Sequence, residues 1–209
     1  ERLLVEARAS RADEVLVPMP ATLSATTLLR LRDDADGLAR DLARPMPRKP
    51  SPSARFGTRF HTWVEAHVGQ QQLLDPDDLP GRADLDITGD AELRELIDAF
   101  TSGPFGDRPC HQVEAPFTLV LGGQVVRGRI DAVYATDDGG FLVVDWKTNR
   151  QQSADPLQLA IYRVAWAELS RMPVGRVRAG FFYVRSGELV TFDDLPDRAG
   201  LESLVRGVE

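Results

Sequence analysis

The chain has 209 residues, 43% of them hydrophobic, enough to build the core of one large domain, and its net charge is -7. No apolar run approaches the ~18 residues that cross a bilayer, and the opening ERLLVEARASRADEVLV is too charged for a secretory signal, so a cytoplasmic address is expected. A single cysteine, Cys110, excludes an internal disulfide, cysteine-ligated zinc or an iron–sulfur cluster.

In chain order, residues 1–23 read as a connector, with a strand-like DEVLVPMP followed by irregular chain. The missing initiator methionine suggests a module belonging to a longer protein, whose folded part is expected to span 24–209. Ser24 is placed to cap a helix running to about Ala43, with Leu28, Leu29, Leu31, Leu38 and Leu42 as its apolar stripe. Prolines 45, 47, 50 and 52 make the segment from Arg44 to Ser53 an extended loop. A second helix is expected from Gly57 to Gln71 with Thr58 capping it, then a loop rich in Asp, Pro and Gly, then a short helix from Ala91 to Thr101. From His111 the period changes to two. Three strands are predicted, joined by turns at Gly122-Gly123 and at Asp137-Asp138-Gly139-Gly140. Asp155-Pro156 opens a helix to about Arg171, VRAGFFYVR and LVTFD are two further strands meeting at Ser186-Gly187, and a last helix runs from Leu195 to Val205. This order predicts an α/β fold: a central mixed sheet flanked by helices, with a helical extension at its N-terminal side.

Charge is unevenly spread. Arg44 to Phe60 carries Arg44, Arg48, Lys49, Arg55 and Arg59 with no acid, whereas Asp75 to Asp98 is strongly acidic. The basic stretch, with Arg150, is the candidate contact for a polyanion.

The stretch VVDWKTNR holds Lys147, one of only two lysines beside 23 arginines. Alternate strand residues share a face, so Asp145 and Lys147 project together and Trp146 points away. If the DDGG turn closes a regular hairpin, residues whose numbers sum to 276 or 277 face each other, which sets Asp131 opposite Asp145 or Trp146. Two carboxylates converging among Ile130, Val133, Val143 and Val144 are costly unless a cation intervenes. A hard divalent ion such as Mg²⁺ or Mn²⁺ suits oxygen ligands. A lysine beside it supplies a compact point charge where a guanidinium fork would fit badly. His61 and Glu65 lie one helical turn apart on a shared face, and imidazole could complete such a site. Gln158 and Tyr162 are likewise one turn apart, with side chains able to hydrogen-bond a phosphate or a base. There is no HExxH zincin spacing and no GxSxG elbow.

Taken in order, GTRFHTWVE, GRIDAV, VVDWKT and QLAIYR resemble the signature of the RecB-family nuclease domain of the PD-(D/E)xK superfamily over roughly residues 24–195. The stretch RPMPRKPSPSARFGTRFHTWVE is also similar to the nuclease modules at the C-terminal end of AdnAB-type helicase–nucleases, which process DNA breaks. The resemblance implies metal ligands at His61, Asp131, Asp145 and the Trp146 main-chain carbonyl. It implies a catalytic Lys147, with Asp131, Asp145, Gln158 and Tyr162 also in the catalytic group and Glu114 as a further acidic position. The implied activity is Mg²⁺- or Mn²⁺-dependent hydrolysis of DNA, mainly single-stranded, without an iron–sulfur cluster. The implied partners are an attached UvrD-like helicase motor and a second helicase–nuclease subunit, with no membrane. Two rivals are a nuclease-like module that grips DNA without cutting and a protein-interaction module docked through its acidic surface.

Overall fold

Six strands and six helices follow one another in the computed structural model, which describes residues 17–46, 52–69 and 87–206. They are β1 (Thr22–Ser24), α1 (Ala25–Asp33), α2 (Ala35–Ala43), α3 (Pro52–Gly69), α4 (Ile87–Thr101), β2 (Gln112–Leu121), β3 (Gln124–Ala135), β4 (Phe141–Lys147), α5 (Pro156–Leu169), β5 (Val177–Tyr183), β6 (Glu188–Thr191) and α6 (Arg198–Arg206), with a 3-10 turn at Val174–Arg176. The strands form one mixed sheet. β2 pairs antiparallel with β3, β3 with β4 and β5 with β6, while β4–β5 and the short β1–β3 pair are parallel. The expected mixed sheet flanked by helices is what the chain builds.

The parallel pair explains the near-continuous apolar text of β4 and β5. A parallel crossover puts a helix over the sheet, so strands there are covered on both faces and cannot alternate with polar residues. On one face, Val126, Ile130, Val133, Val143, Ala179 and Phe181 pack against α1, α5 and α6. On the other, Ala132, Tyr134, Leu142, Val144, Trp146 and Phe182 pack against Phe60, Trp63 and Val64 of α3 and Leu93, Leu96, Ile97 and Phe100 of α4. Gly128 has a packing reason: a Cβ there would lie 2.8 Å from the Phe117 ring, which itself meets Tyr162 edge-on at 5.6 Å.

Several boundaries differ from the sequence reading. Ser24 does cap α1, accepting from Thr27 N–H at 3.0 Å, but the expected single helix to Ala43 breaks at Asp34. Asp34 caps α2 by accepting from Gly37 N–H at 2.9 Å, and a side chain that satisfies a new helix's free amides competes with continuing the old one. The proline-rich segment is not loop throughout. α3 starts at Pro52, which lacks the N–H that the first helical turn cannot use, so Thr58 lies inside the helix rather than at its cap. β1, within the segment read as connector, pairs Leu23 with Val126. α4 begins at Ile87 and α6 at Arg198 rather than at Ala91 and Leu195. Half of DEVLVPMP (13–16), Arg48, Lys49 and the Asp/Pro/Gly-rich loop lie outside the described residues, and the other half of DEVLVPMP (17–20) forms no strand.

α5 is entered as expected: Asp155 accepts from Leu157 N–H at 2.8 Å with Pro156 in the first turn. The same carboxylate is ion-paired with Arg32 of α1, and both partners hold its pKa below the ordinary aspartate value, Arg32 contributing most. Asp155→Ala is expected to lower unfolding stability by about 1–2 kcal/mol, chiefly through the lost cap, because the half-exposed ion pair adds little. Urea titration of both forms measures this; an unchanged midpoint would remove Asp155 from the account.

Candidate active site

The hairpin register settles how the two aspartates meet. Ala132 faces Val144 and Val133 faces Val143, so numbers sum to 276, the first of the two registers expected. Main-chain pairing stops at Ala132 and Val144, however, and the strands part where Asp131 and Asp145 would have faced each other. Asp131 bridges the gap with its side chain, Oδ2 accepting from Trp146 N–H at 2.9 Å. On the other side of β3 the partner position, Glu114, adopts φ 48, a left-handed backbone that non-glycine residues seldom hold. Glu114 and Asp131 are also where both strands exchange faces. Ala115 and Ile130 enter one core, while Val113 and Ala132 enter the other. Local distortion of paired strands re-aims side chains, and here it carries two carboxylates to a common edge.

Over that edge lies α3. Phe56, Phe60, Trp63, Val64 and Val68 form its apolar stripe, and His61 sits on the border of the stripe, its ring 6.1 Å from that of Trp146. His61 Nδ1 is 3.5 Å from Asp131 Oδ2. One donor atom each from His61, Glu114 and Asp131 fall within 4.8 Å of one another. His61 and Glu114 border an open cleft of about 460 Å³ lined also by Gly57, Thr58, Thr62 and Glu65. Glu65, predicted on the same helix face as His61, shares this cleft, and its charge helps raise the Glu114 pKa.

Asp145 is grouped differently. It is 3% exposed, the one charged residue fully buried among those described. Its Oδ1 accepts from Gln158 Nε2 at 2.9 Å, and its Oδ2 lies 2.6 Å from Lys147 Nζ. Gln158 also accepts from Lys147 Nζ at 3.1 Å and donates to the Tyr162 hydroxyl at 2.9 Å. Asp145, Lys147, Gln158 and Tyr162 therefore form one chain of polar contacts between β4 and α5, with the ammonium 5.0 Å above the Phe181 ring. The predicted shared face of Asp145 and Lys147, and the opposite direction of Trp146, both hold. Within this chain the amide of Gln158 fixes the carboxylate and the ammonium at once, whereas the Tyr162 hydroxyl, among the described residues, hydrogen-bonds to Gln158 alone. Gln158→Ala is therefore expected to reduce turnover about tenfold or more, and Tyr162→Phe only a few fold. Steady-state rates of the two variants compare them; a larger loss in Tyr162→Phe would place the hydroxyl on substrate instead.

The electrostatics ask for a cation. Burial, then the charge of Asp145, pushes Asp131 well above the usual carboxylate range; burial also raises Asp145 despite Lys147, and raises Glu114. Burial lowers His61, leaving a neutral imidazole near neutral pH. The charge of Asp145 and, less strongly, the Trp146 main chain oppose this by favouring the protonated ring. Asp145 Oδ2 makes no hydrogen bond of normal geometry beside its ion pair. Crowded, desolvated carboxylates with a neutral imidazole are the donor set of a divalent ion of the Mg²⁺ or Mn²⁺ kind. His61, Asp131 and Glu114 would hold it.

The predicted ligands thus divide. His61 and Asp131 come together as expected, Glu114 joins them more closely than its place on the first strand suggested, and Asp145 is held by Lys147 and Gln158. Of the basic residues, Arg44 and Arg55 are exposed and Arg59 is half-buried one turn after Arg55; Arg150, 80% exposed at its side chain, lies 3.9 Å from Glu92. Thr58 and Thr62 of the cleft, and Arg129, 3.9 Å from Glu114, were missed. The GRID stretch held the signal for Arg129, because it places an arginine two residues before Asp131 on an alternating strand.

Comparison with known proteins agrees with this geometry. The family model of the PD-(D/E)XK nuclease superfamily matches residues 29–206. A proposed exonuclease of Eubacterium rectale superposes with a TM-score of 0.59 at 10% identity, covering 90% of this chain and 77% of that one, a likeness of fold. The protein SSO0001 aligns over 99% of this chain and 82% of its own at 16% identity, but its TM-score of 0.44 is too loose a fit to bear on the fold. No curated protein matches the sequence. With the family's match spanning nearly the whole sheet and the acidic edge, this chain belongs to the PD-(D/E)XK nuclease superfamily.

Proposed function

We propose that the domain is a divalent-metal-dependent deoxyribonuclease that hydrolyses phosphodiester bonds, chiefly in single-stranded DNA. We further propose that it trims DNA ends as the nuclease module of a RecB-like helicase–nuclease, fed by an attached helicase motor beside a second subunit. The observation that carries the reading is the adjacency of two assemblies, the His61–Glu114–Asp131 cluster and the Asp145–Lys147–Gln158 chain, joined where Asp131 accepts from the N–H of Trp146, the residue between Asp145 and Lys147. The order of the four motifs supports the RecB-like assignment, and the basic residues around α3 support a polyanionic substrate.

A divalent ion, when bound, supplies charge to polarise the scissile phosphate and to lower the pKa of a water. The chain's own residues do the positioning. Asp131, anchored by Trp146 N–H, is fixed beside His61, and its neighbour Asp145 keeps the Lys147 ammonium beside the acidic edge. From there Nζ can donate to the attacking water or to a phosphate oxygen as negative charge develops, a form of stabilisation that costs no reorganisation. Gln158 prevents the ammonium from swinging away.

The test is incubation of the domain with end-labelled single-stranded and duplex DNA in Mn²⁺, Mg²⁺ or EDTA. Metal-dependent products, more from the single strand, are expected. Salt-sensitive binding without products would instead favour a gripping module, and absence of both Mn²⁺ affinity and DNA binding would favour a protein-interaction module.

A further inference from the structure

Between Ala115 and Ile130 the β2–β3 ribbon has one face built into the core and one that is not. Ala115, Phe117, Leu119, Val126 and Ile130 are buried, while the opposite row of Pro116, Thr118 and Val120 on β2 and Arg127 and Arg129 on β3 is exposed. The cross-strand register places Arg129 opposite Pro116 and Arg127 opposite Thr118. β1 widens the surface by setting Ser24 beside Arg127. None of these exposed positions is acidic, in a chain whose net charge is -7.

The row ends at the candidate metal ligands. Glu114 and Asp131 are the next positions along β2 and β3 in the same register, and the Arg129 guanidinium, 65% exposed at its side chain, is 3.9 Å from Glu114 Oε2. Arg127 makes no ion pair or hydrogen bond with the described residues, so its charge is left for an external anion. Residues two apart on a strand are about 6.6 Å apart, a spacing comparable to that of successive phosphates on an extended single strand.

We infer that the exposed β2–β3 face, through Arg127 and Arg129 with the Thr118 hydroxyl, is a phosphate-binding track that carries the backbone of single-stranded DNA toward the His61–Glu114–Asp131 edge. This rests on the nuclease reading for its destination. Its binding role is separable. Two guanidiniums in a single row follow one strand, each forking onto phosphate oxygens, and neither reads a base. β-strand placement keeps the row rigid.

The experiment is fluorescence anisotropy of a labelled single-stranded oligonucleotide in EDTA across a salt series, with Mn²⁺ calorimetry in parallel, on the wild-type domain and on Arg127→Ala, Arg127→Glu and Arg127→Lys. Arg127 touches neither the core nor the candidate ligands, so the fold and the Mn²⁺ affinity are expected to persist. Arg127→Ala should weaken binding several fold and flatten the log–log salt slope by about 0.7, the value for one single-strand phosphate contact. Arg127→Glu should weaken binding further, and Arg127→Lys should restore the slope. Unchanged affinity and slope in Arg127→Ala and Arg127→Glu, or a wild-type domain that fails to bind the strand, would overturn the track. A wild-type domain that binds the strand and loses it with Arg127→Glu, yet takes up no Mn²⁺ and makes no products, sustains the track and removes the nuclease reading.

Discussion

Lys147→Ala is expected to lower metal-dependent cleavage at least ~10²-fold, equivalent to about 3 kcal/mol of transition-state stabilisation, with the fold retained. The size follows from position: Nζ lies 2.6 Å from a carboxylate that is 3% exposed and 3.1 Å from Gln158, so no other cation among the described residues is placed to replace it. The fold survives because the stranded Asp145 can take a proton. Its pKa is already raised by burial, and Lys147 is the largest opposing influence, so removing the lysine makes the neutral acid the stable form. Lys147→Arg is the more informative partner. The guanidinium keeps the charge but must fit its planar fork between Gln158 and the Phe181 ring, and a loss of about tenfold or more is expected. Single-turnover rates in Mn²⁺, with circular dichroism and thermal melts of the same samples, decide. A wild-type rate in Lys147→Ala would sink the catalytic assignment, and one in Lys147→Arg would show that charge alone suffices.

Asp131→Asn should do two opposite things: raise the melting temperature of the metal-free domain at pH about 8 and abolish the gain that Mn²⁺ confers on the wild type. The sign follows from the raised pKa of Asp131. In acid, folded and unfolded chains are both protonated there. As pH climbs past the ordinary aspartate value near 3.9, the unfolded chain releases a proton that the folded chain retains, and stability is lost until the folded pKa is passed. Asp145 and Glu114, also raised, act in the same direction. His61 acts in the other, since its lowered pKa costs stability as pH falls below about 6.5, so the comparison with Asp131→Asn isolates the carboxylate. A cation competes with the proton, and the Mn²⁺ gain in the wild type should therefore grow from pH about 6 to pH about 8. The side-chain carbonyl of the Asp131→Asn variant can still accept from Trp146 N–H, which keeps the strands joined. Thermal melts across pH with EDTA or Mn²⁺ test this. A variant no more stable than wild type without metal would mean that Asp131 is not ionised at a cost.

Local pattern was enough for much of the architecture. The Gly122-Gly123 and DDGG turns, flanked by alternating and then continuous apolar runs, marked two hairpins and narrowed the second to two registers, of which the chain adopts the one with Ala132 facing Val144, and Asp155-Pro156 dictated the start of α5. Because strand period is two and helix period is near four, the same text also fixed that Asp145 and Lys147 share a face and that Gln158 and Tyr162 stack. Boundaries were less legible where side-chain capping competes with helix propagation, as at Asp34, or where proline begins a helix rather than preventing one, as at Pro52.

What only the tertiary structure decided is how the acidic groups are shared. Sequence period places Asp131 and Asp145 as neighbours but cannot say that main-chain pairing ends one residue short of them, that Glu114 takes a left-handed backbone, or that both strands change faces there. Those distortions lie in a sheet that α3 and α5 cover on opposite faces, a long-range arrangement that no local pattern reports. They put Glu114 with His61 and Asp131, and leave Asp145 to hold Lys147. The residue types of the site are written in the chain; their division into a cation-seeking edge and a lysine-holding pair comes from two helices meeting one twisted sheet.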